Sequence, residues 1–188
     1  MTKRVEVKTC NLKAAFVAAP KNDSRYYLNG IFIDAKEGKI KSTDGRTLCI
    51  IEDKEVKKFK KSVFIKYNII ELILKENAKN DDTIFFVEDD GLSIFDFFIK
   101  FEDDIVFPKT EKIENINKDD FLNVSVMNES LCIDFKYIKR LADTQRALKI
   151  SRPVFKPKYI TSKTGHRDGV PFLFEFGVCK FYIMPIRF

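Results

Sequence analysis

The sequence predicts an α+β protein that is rich in β-sheet and built from a repeated unit. The chain has 188 residues, of which 45% are hydrophobic, enough for a sizeable core. Its 19 Phe residues and lack of Trp fit a sheet-rich protein better than a helical bundle. The order of one strand, one helix and several further strands recurs along the chain, which indicates a tandem repeat.

The first copy of the unit occupies residues 1–55. Alternation of apolar and polar residues predicts a strand at 5–10, and helical spacing predicts a helix at 11–19 that Pro20 ends. The Asn-Gly and Asp-Gly pairs of this copy tolerate positive φ and are typical of turns. Three further strands are expected in this copy, at 27–34, 39–42 and 48–52.

The second copy occupies residues 56–107 and is followed by a linker at 108–118. Apolar residues at helical spacing predict its helix at 67–77, and Asp89-Asp90-Gly91 predicts a hairpin turn. The strands of this copy are expected at 62–65, 83–87, 92–96 and 97–101.

The third copy occupies residues 119–188 and lacks a companion. Its helix is predicted at 135–144, with Ile138 and Leu141 facing inward. Its strands are expected at 121–126, 131–134, 147–155, 158–161, 171–176 and 179–185. We therefore expect a domain at 1–118, made of the half-domains 1–55 and 56–107 plus the linker, and a separate half-domain at 119–188.

Composition excludes several classes of protein. The net charge of +6 favours phosphate backbones only weakly. No signal-like segment and no apolar stretch close to ~18 residues is present, so we expect a cytoplasmic protein without a membrane partner. The cysteines form no C-x-x-C pair and lie far from the one His, which predicts no metal site. Buried, reduced thiols are expected at Cys10, Cys49, Cys132 and Cys179.

Catalytic patterns are also missing from the sequence. The one histidine, His166, lies in a polar segment without a nucleophile pattern nearby, and no Gly-rich phosphate-binding loop is present. Carboxylate pairs such as Asp103-Asp104 lie in charged, turn-like runs and are best explained as a solvated surface. The sequence therefore predicts a protein that is not an enzyme and needs no cofactor.

Three short motifs resemble, in the same order, motifs of the bacterial DNA polymerase III β subunit, the sliding clamp family. They are Arg25-Tyr-Tyr-Leu-Asn-Gly30, Thr43-Asp-Gly-Arg-Thr-Leu48 and Tyr182-Ile-Met-Pro-Ile-Arg187. Residues 1–118 resemble the middle domain of a clamp with its following linker, and residues 120–188 resemble the second half of the last domain. The resemblance implies the DNA-clamp fold, in which helices lie on one face of antiparallel sheets.

The same resemblance implies a role as a DNA polymerase processivity factor in DNA replication. The expected partners are duplex DNA and the short linear motif of a DNA polymerase or clamp loader, and the protein is expected to form a homo-oligomer, either a closed ring or an open assembly. An alternative is a clamp mimic that forms no ring and acts as a decoy or adaptor for clamp-binding proteins. A weaker alternative is a nucleic-acid-binding protein that uses the fold but has lost the pocket.

The resemblance implies a peptide-binding pocket built from the second motif, the linker and the C-terminal strand. Arg46 replaces the His usual in the family, Thr47 an Arg, Lys112 an Arg and Tyr182 a small aliphatic residue, so the preferred peptide is expected to differ. A plain core and turn would also explain these residues. The predicted pocket residues are Thr43, Gly45, Arg46, Thr47, Leu48, Pro108, Lys112, Ile113, Val170, Phe172, Tyr182, Ile183, Met184, Pro185, Ile186 and Arg187.

The resemblance also implies contacts with DNA from the helices and from the first motif. Such contacts would be directed at phosphates, independent of base sequence and sensitive to salt. A solvated helix face is the alternative explanation for each lysine. The predicted DNA-contacting residues are Lys13, Lys21, Arg25, Tyr26, Tyr27, Lys66, Lys75, Lys136, Lys139 and Arg140.

Overall fold

The computed structural model of the protein describes residues 2–102, 107–115, 121–123, 131–152, 154, 158–160 and 171–187. Its helices are α1 (Thr9–Phe16), α2 (Tyr67–Glu76), α3 (Glu111–Glu114) and α4 (Phe135–Ala147). Its strands are β1 (Lys3–Lys8), β2 (Gly30–Asp34), β3 (Lys39–Thr43), β4 (Thr47–Glu52), β5 (Val63–Lys66), β6 (Asp82–Val87), β7 (Gly91–Ile94), β8 (Phe97–Lys100), β9 (Phe121–Asn123), β10 (Leu131–Cys132), β11 (Lys158–Ile160), β12 (Phe172–Phe176), β13 (Cys179–Ile183) and β14 (Ile186–Arg187).

These strands form three antiparallel sheets. The largest has eight strands in the order β5-β2-β3-β4-β13-β12-β11-β9, the second has four in the order β1-β6-β7-β8, and β10 pairs with β14. The prediction of an α+β fold with antiparallel sheets is confirmed. Sheet pairing crosses the limits of the three predicted copies, because β13 joins β4 and β1 joins β6. The division into domains at residue 118 stays a prediction.

One continuous core lies between the helices and the two larger sheets. Helix α1 packs against β3, β4, α2 and α4. The core draws on alternate residues of β1, on Ile70 and Ile73 of α2, and on Tyr137 and Leu141 of α4. The spacing of three or four positions puts such residues on one face of a helix, so amphipathic sequence and burial agree here.

A second, smaller apolar cluster lies on the other face of the eight-stranded sheet. Along β4, Cys49 and Ile51 belong to the main core, whereas Leu48 and Ile50 belong to the small cluster. Alternate residues of a strand point to opposite faces, so the middle of this sheet is buried on both sides. Leu173, Tyr182 and the partly buried Ile113 of α3 complete the small cluster.

Helix α4 is longer than the sequence predicts, and the strand expected at 147–155 does not begin there. The helix continues to Ala147 and ends in a turn at Lys149, whose φ is +60°. Its last turns bury the polar side chains of Thr144 and Gln145 rather than apolar ones. The apolar periodicity that marks a helix in sequence is therefore lost before the helix ends.

The strand expected from residue 27 is replaced at first by a helical turn. Residues Tyr26–Leu28 form a 3-10 turn, and β2 starts only at Gly30. The Asn29 side chain holds this turn, since its Nδ2 donates to the Asp23 carbonyl at 2.9 Å and its Oδ1 accepts from the Asp23 N–H at 2.8 Å. The first strand and helix also begin two residues earlier than predicted.

No helix in the described part of the chain is long and apolar enough to cross a membrane. Within the same residues, no group of His, Cys, Asp and Glu side chains is arranged to hold a metal ion. His166 and the pair Asp103-Asp104 lie outside the described residues.

Candidate functional site

Strand β13 meets the second motif, Thr43–Leu48, at the centre of the eight-stranded sheet. The pairing sets Tyr182 opposite Leu48 and Ile183 opposite Thr47. One step further, the Met184 N–H donates to the Arg46 carbonyl at 2.8 Å. Segments that are more than 130 residues apart in sequence are thereby brought side by side.

The turn between β3 and β4 is organised by Asp44. Its Oδ1 accepts from the N–H groups of Arg46 at 2.9 Å and Thr47 at 2.7 Å, and from the Thr47 hydroxyl at 2.9 Å. Gly45 follows with a φ of +82°, a conformation that favours glycine. The turn is thus held by its own residues, as expected for Asp-Gly.

Two arginines that the sequence assigns to DNA instead support this turn. The Arg140 guanidinium of α4 donates to the second oxygen of Asp44. The Arg25 guanidinium donates to the Asp44 carbonyl at 2.9 Å and to the Asp23 carboxylate at 2.7 Å. Arg140, which the sequence predicts to contact DNA, is only partly exposed and is engaged with Asp44.

These contacts set the charge of the Asp44 carboxyl. Burial by itself would raise its pKa, but the Thr47 and Arg46 N–H groups and the Arg140 guanidinium together outweigh burial and lower the pKa. The Asp23 carboxyl, hydrogen-bonded by Arg25, has a pKa of about 2. Both carboxyls therefore remain ionised at neutral pH.

The linker lies against the same sheet through a network of charged side chains. The Lys41 ammonium, on a residue only 4% exposed, lies 3.0 Å from Glu114, 3.0 Å from Glu37 and 3.2 Å from Asp34. The Lys39 ammonium lies 2.5 Å from Glu114 and 2.9 Å from Glu37. Since Glu114 belongs to α3 and the others to the β2–β3 hairpin, the network ties the linker to the sheet.

Hydrogen bonds outweigh burial for the groups of this network. Burial would raise the pKa of the Glu114 carboxyl, but hydrogen bonds from Lys39, Thr110 and Lys41 lower it. Burial would likewise lower the pKa of the Lys41 ammonium, yet its carboxylate partners raise it. Nearby, burial and the Glu114 charge raise the pKa of the Tyr182 phenol to about 12.

The turn, the linker and the C-terminal strand enclose a cavity of about 340 Å³. It brings together residues from all three segments that the sequence predicts to form one pocket. The predicted residues that line it are Thr43, Gly45, Arg46, Thr47, Leu48, Pro108, Ile113, Tyr182 and Met184.

Other predicted pocket residues do not line the cavity. Phe172 and Ile183 are fully buried in the main core, because they alternate with Leu173 and Tyr182 and therefore point to the opposite face. Lys112, Pro185 and Ile186 lie beside the cavity walls in sequence without lining it. Val170 is outside the described residues, and Arg187 is described only through its backbone pairing with Leu131.

Several lining residues were not predicted for this pocket. Arg25 and Tyr27 were assigned to DNA, and Leu28, Lys109, Thr110 and Pro171 were not singled out. Lys109 and Thr110 are next to the predicted Pro108, so extending the linker segment would have found them. Leu28 belongs to the first motif, and Pro171 lies between the predicted residues Val170 and Phe172, so extending those segments would have found them too.

A second cavity, of about 580 Å³, lies beyond Tyr27, which lines both cavities. It brings together four predicted DNA-contacting residues, namely Lys21, Tyr26, Tyr27 and Lys66. Tyr26 is 75% exposed. The Lys21 ammonium lies 5.6 Å from the centre of the Tyr67 ring and 3.8 Å from the Glu71 carboxylate.

The remaining predicted DNA-contacting residues lie on the helices. Lys13, Lys75 and Lys139 are exposed and form no ion pair within the described residues. The Lys136 ammonium is also exposed but lies 3.0 Å from Asp134 and 4.8 Å from the centre of the Tyr137 ring. These four residues are accessible on α1, α2 and α4, helices that pack together through α1.

Comparison with known proteins gives similarity in structure only. No protein-family model matches the sequence, and no curated protein is detectably similar to it in sequence. The β sliding clamp of Caulobacter crescentus superposes with a TM-score of 0.63 at 15% identity, covering 100% of this chain and 66% of that one. The DNA polymerase sliding clamp of Pseudomonas aeruginosa, with ligand, gives 0.63 at 13% identity, covering 100% and 66%.

The DNA polymerase III β subunit of Thermotoga maritima has a TM-score of 0.57 at 15% identity, covering 99% of this chain and 65% of that one. The chain thus spans about two thirds of the length of the clamps that it resembles. The same spatial arrangement recurs across nearly its whole length, although few side chains are shared. The resemblance seen in the three motifs is confirmed at this level: the chain has the fold of the bacterial DNA polymerase III β sliding clamps.

Proposed function

We propose that the protein is a clamp-like DNA replication protein, a polymerase processivity factor that holds a short peptide of a polymerase or clamp loader in the 340 Å³ cavity. The observation that carries this proposal is the cavity itself. It forms at the junction of the turn, the linker and strand β13, on a clamp fold.

The walls of the cavity suit an extended peptide with apolar side chains. Leu48, Ile113, Tyr182 and Met184 supply an apolar surface, and Met adapts readily to partners of different shape. The volume lies at the lower end of the range for ligand cavities, about 300 to 1,000 Å³. Such a cavity fits a few side chains rather than a whole domain, which favours recognition of a short linear motif.

Association with duplex DNA without sequence specificity is the second part of the proposal. Lys13, Lys66, Lys75 and Lys139 are exposed and make no ion pair within the described residues, so they are available to phosphates. Helices α1, α2 and α4, which carry or adjoin these lysines, pack together. This role is one of binding and positioning, and we propose that no reaction is catalysed.

A homo-oligomer is the third part of the proposal. Strands β5 and β9 are the outer strands of the eight-stranded sheet, and β1 and β8 those of the four-stranded sheet. An outer strand can extend its sheet by pairing with a strand of another copy. Light scattering across a range of concentrations tests this part, and a monomer at every concentration would contradict it.

The peptide site is tested by titrating fluorescent peptides from polymerases against the wild type and Met184→Glu. A carboxylate in the apolar cavity is expected to weaken binding by at least about tenfold. Val178→Glu is the matched control, because Val178 is exposed in the turn between β12 and β13 and does not line the cavity. Equal affinities for the wild type and Met184→Glu would refute the site.

The DNA part is tested separately by retention on nicked circular duplex DNA, compared with the same DNA after linearisation. Retention on the circle that is lost on linearisation supports a protein that encircles DNA. Peptide binding without any DNA retention would instead support the decoy or adaptor.

A further inference from the structure

We propose that the peptide held in the 340 Å³ cavity carries acidic residues beside its apolar anchors, and that Arg46 and Lys109 recognise them. This inference rests on the proposed function and names the class of partner. It starts from two cations that line the cavity, one in the turn and one in the linker.

Arg46 has a fixed backbone and a free side chain. Its N–H donates to Asp44 at 2.9 Å, and its carbonyl accepts from the Met184 N–H at 2.8 Å. Its guanidinium is exposed and forms no ion pair within the described residues. A backbone held in this way fixes where the Arg46 side chain begins, at the cavity wall, while the guanidinium stays available to a ligand.

Lys109 has the corresponding position in the linker. It lies between Pro108 and Thr110, both of which line the cavity, and Thr110 is buried and hydrogen-bonded to Glu114 at 2.5 Å. Lys109 itself is exposed and makes no ion pair within the part of the chain that the structure describes. The opening therefore has a cation on two of its walls.

The other cations around the cavity already have carboxylate partners. Arg25 is paired with Asp23 at 2.7 Å, and Arg140 is paired with Asp44. Deeper in the wall, Glu114 is neutralised by Lys39 and Lys41. Among the described residues, Asp23, Asp44 and Glu114 are thus paired with other cations, which leaves Arg46 and Lys109 without an ion-pair partner there.

The chemistry of the walls indicates a peptide rather than a nucleic acid. The interior is formed by Leu48, Ile113 and Met184, which suit Leu or Phe side chains and offer little to phosphates. An arginine can bind a carboxylate through two parallel hydrogen bonds, whereas a lysine acts as a point charge. The geometry therefore selects apolar anchors flanked by Asp or Glu.

The test uses two fluorescent peptides that share two Leu and one Phe as apolar anchors. One has Asp and Glu in the flanking positions, and the other has Asn and Gln. Because exposed ion pairs contribute little individually, the wild type is expected to bind the acidic peptide about threefold to tenfold more tightly at low salt. The preference is expected to shrink as salt is raised.

Arg46→Gln and Lys109→Gln should each weaken binding of the acidic peptide more than binding of the neutral peptide, and so reduce this preference. Lys36→Gln is the matched control, because Lys36 is exposed and forms no ion pair among the described residues but lies in the β2–β3 turn, outside the cavity lining. If Arg46→Gln keeps the same preference for the acidic peptide as Lys36→Gln, the assignment is overturned.

The outcomes separate this inference from the proposed function. If both peptides bind equally well, the acidic preference is wrong and the peptide site stands. If neither peptide binds, the proposed function itself fails. If a single-stranded oligonucleotide displaces the peptide from the wild type but not from Arg46→Gln, the two cations bind phosphate, and the inference is overturned.

Discussion

One wall of the cavity is formed by the β3–β4 turn and another by the linker, and each is built around a carboxylate. The two carboxylates are stabilised in different ways. The Asp44 carboxylate of the turn accepts hydrogen bonds from the N–H groups of the residues two and three positions later. Glu114 of the linker is paired with Lys39 and Lys41, which lie about 75 positions earlier in the chain. The turn can form as soon as its own residues fold, whereas the linker wall needs the finished sheet.

The turn and the linker also differ in how they are held by apolar contacts. The turn is continuous with β3 and β4 at the centre of the large sheet. Helix α3 is a single turn with no side-chain cap and no fully buried residue. It is held by the partly buried Ile113, by the stacking of Phe107 on Phe32 with ring centres 4.8 Å apart, and by Glu114. Charge therefore contributes more to the position of the linker than to that of the turn.

The largest effect is expected from Lys41→Met. It removes the buried cation shared by Asp34, Glu37 and Glu114, so Asp34 loses its ion-pair partner and Glu37 and Glu114 keep only Lys39. The free energy of unfolding should therefore fall by roughly 3 kcal/mol. Urea denaturation measures the change. Lys36→Met is the matched control, because Lys36 is exposed on the same hairpin, and a change within about 0.5 kcal/mol is expected. A loss below about 1 kcal/mol for Lys41→Met would show that the network is not needed.

Glu114→Gln is expected to have the next largest effect, and to act mainly on the linker. It keeps the shape of the side chain but removes the charge that faces Lys39 and Lys41, at a cost of about 2 kcal/mol. Trypsin should then cleave after Lys109 and Lys112 several-fold faster than in the wild type. Glu111→Gln, an exposed residue on the same turn, is the control. Equal cleavage rates would mean that Ile113 alone holds the linker.

Asp44→Asn should have a smaller effect, of about 1 kcal/mol. The asparagine oxygen can still accept the Arg46 and Thr47 N–H groups, so the substitution removes chiefly the charge opposite Arg140. For a chain of this length the thermal midpoint should fall by about 2 to 4 °C. If Asp44→Asn destabilises the protein as much as Glu114→Gln does, the turn depends on its charge as strongly as the linker, and the contrast between the walls disappears.

The smallest change in the free energy of unfolding is expected from mild acidification. The pKa of Glu114 is lowered below its ordinary value of 4.5, so its stabilisation is complete above that pH and is lost as pH falls through the lower, folded-state pKa. The stability difference between the wild type and Glu114→Gln should therefore be constant from about pH 7 to pH 5 and should narrow below about pH 4.5. A difference that narrows already above pH 5 would contradict the lowered pKa.

Much of the fold could be predicted from local pattern, and the failures have identifiable physical causes. Helix α2 was predicted to within one residue at its C-terminal end, since its apolar residues repeat at helical spacing. The end of α4 was missed because its last turns bury Thr144 and Gln145. The roles of Phe172 and Ile183 were missed because β12 and β13 are apolar on both faces. Without alternation in the sequence, the direction of each side chain cannot be inferred.

Charged residues were the least predictable part of the candidate site. Lys41 follows a strand pattern and would ordinarily be exposed, yet it is buried among three carboxylates. Arg25 and Arg140 were assigned to DNA from their positions in the chain, but both bind the Asp44 turn. The sequence shows which residues are charged, but only the surroundings of each residue in the fold show which group it pairs with.

The amino-acid sequence by itself determined most of the strands and helices and the turn at Asp44-Gly45. These features depend on residues close together in the chain, where propensity and local hydrogen bonds decide the conformation. The tertiary structure decided which face of β12 and β13 each side chain occupies, which cations are paired and which remain free at the cavity. Those outcomes depend on the burial of groups that are distant in sequence, because the energy of a charge is set by whatever the fold places around it.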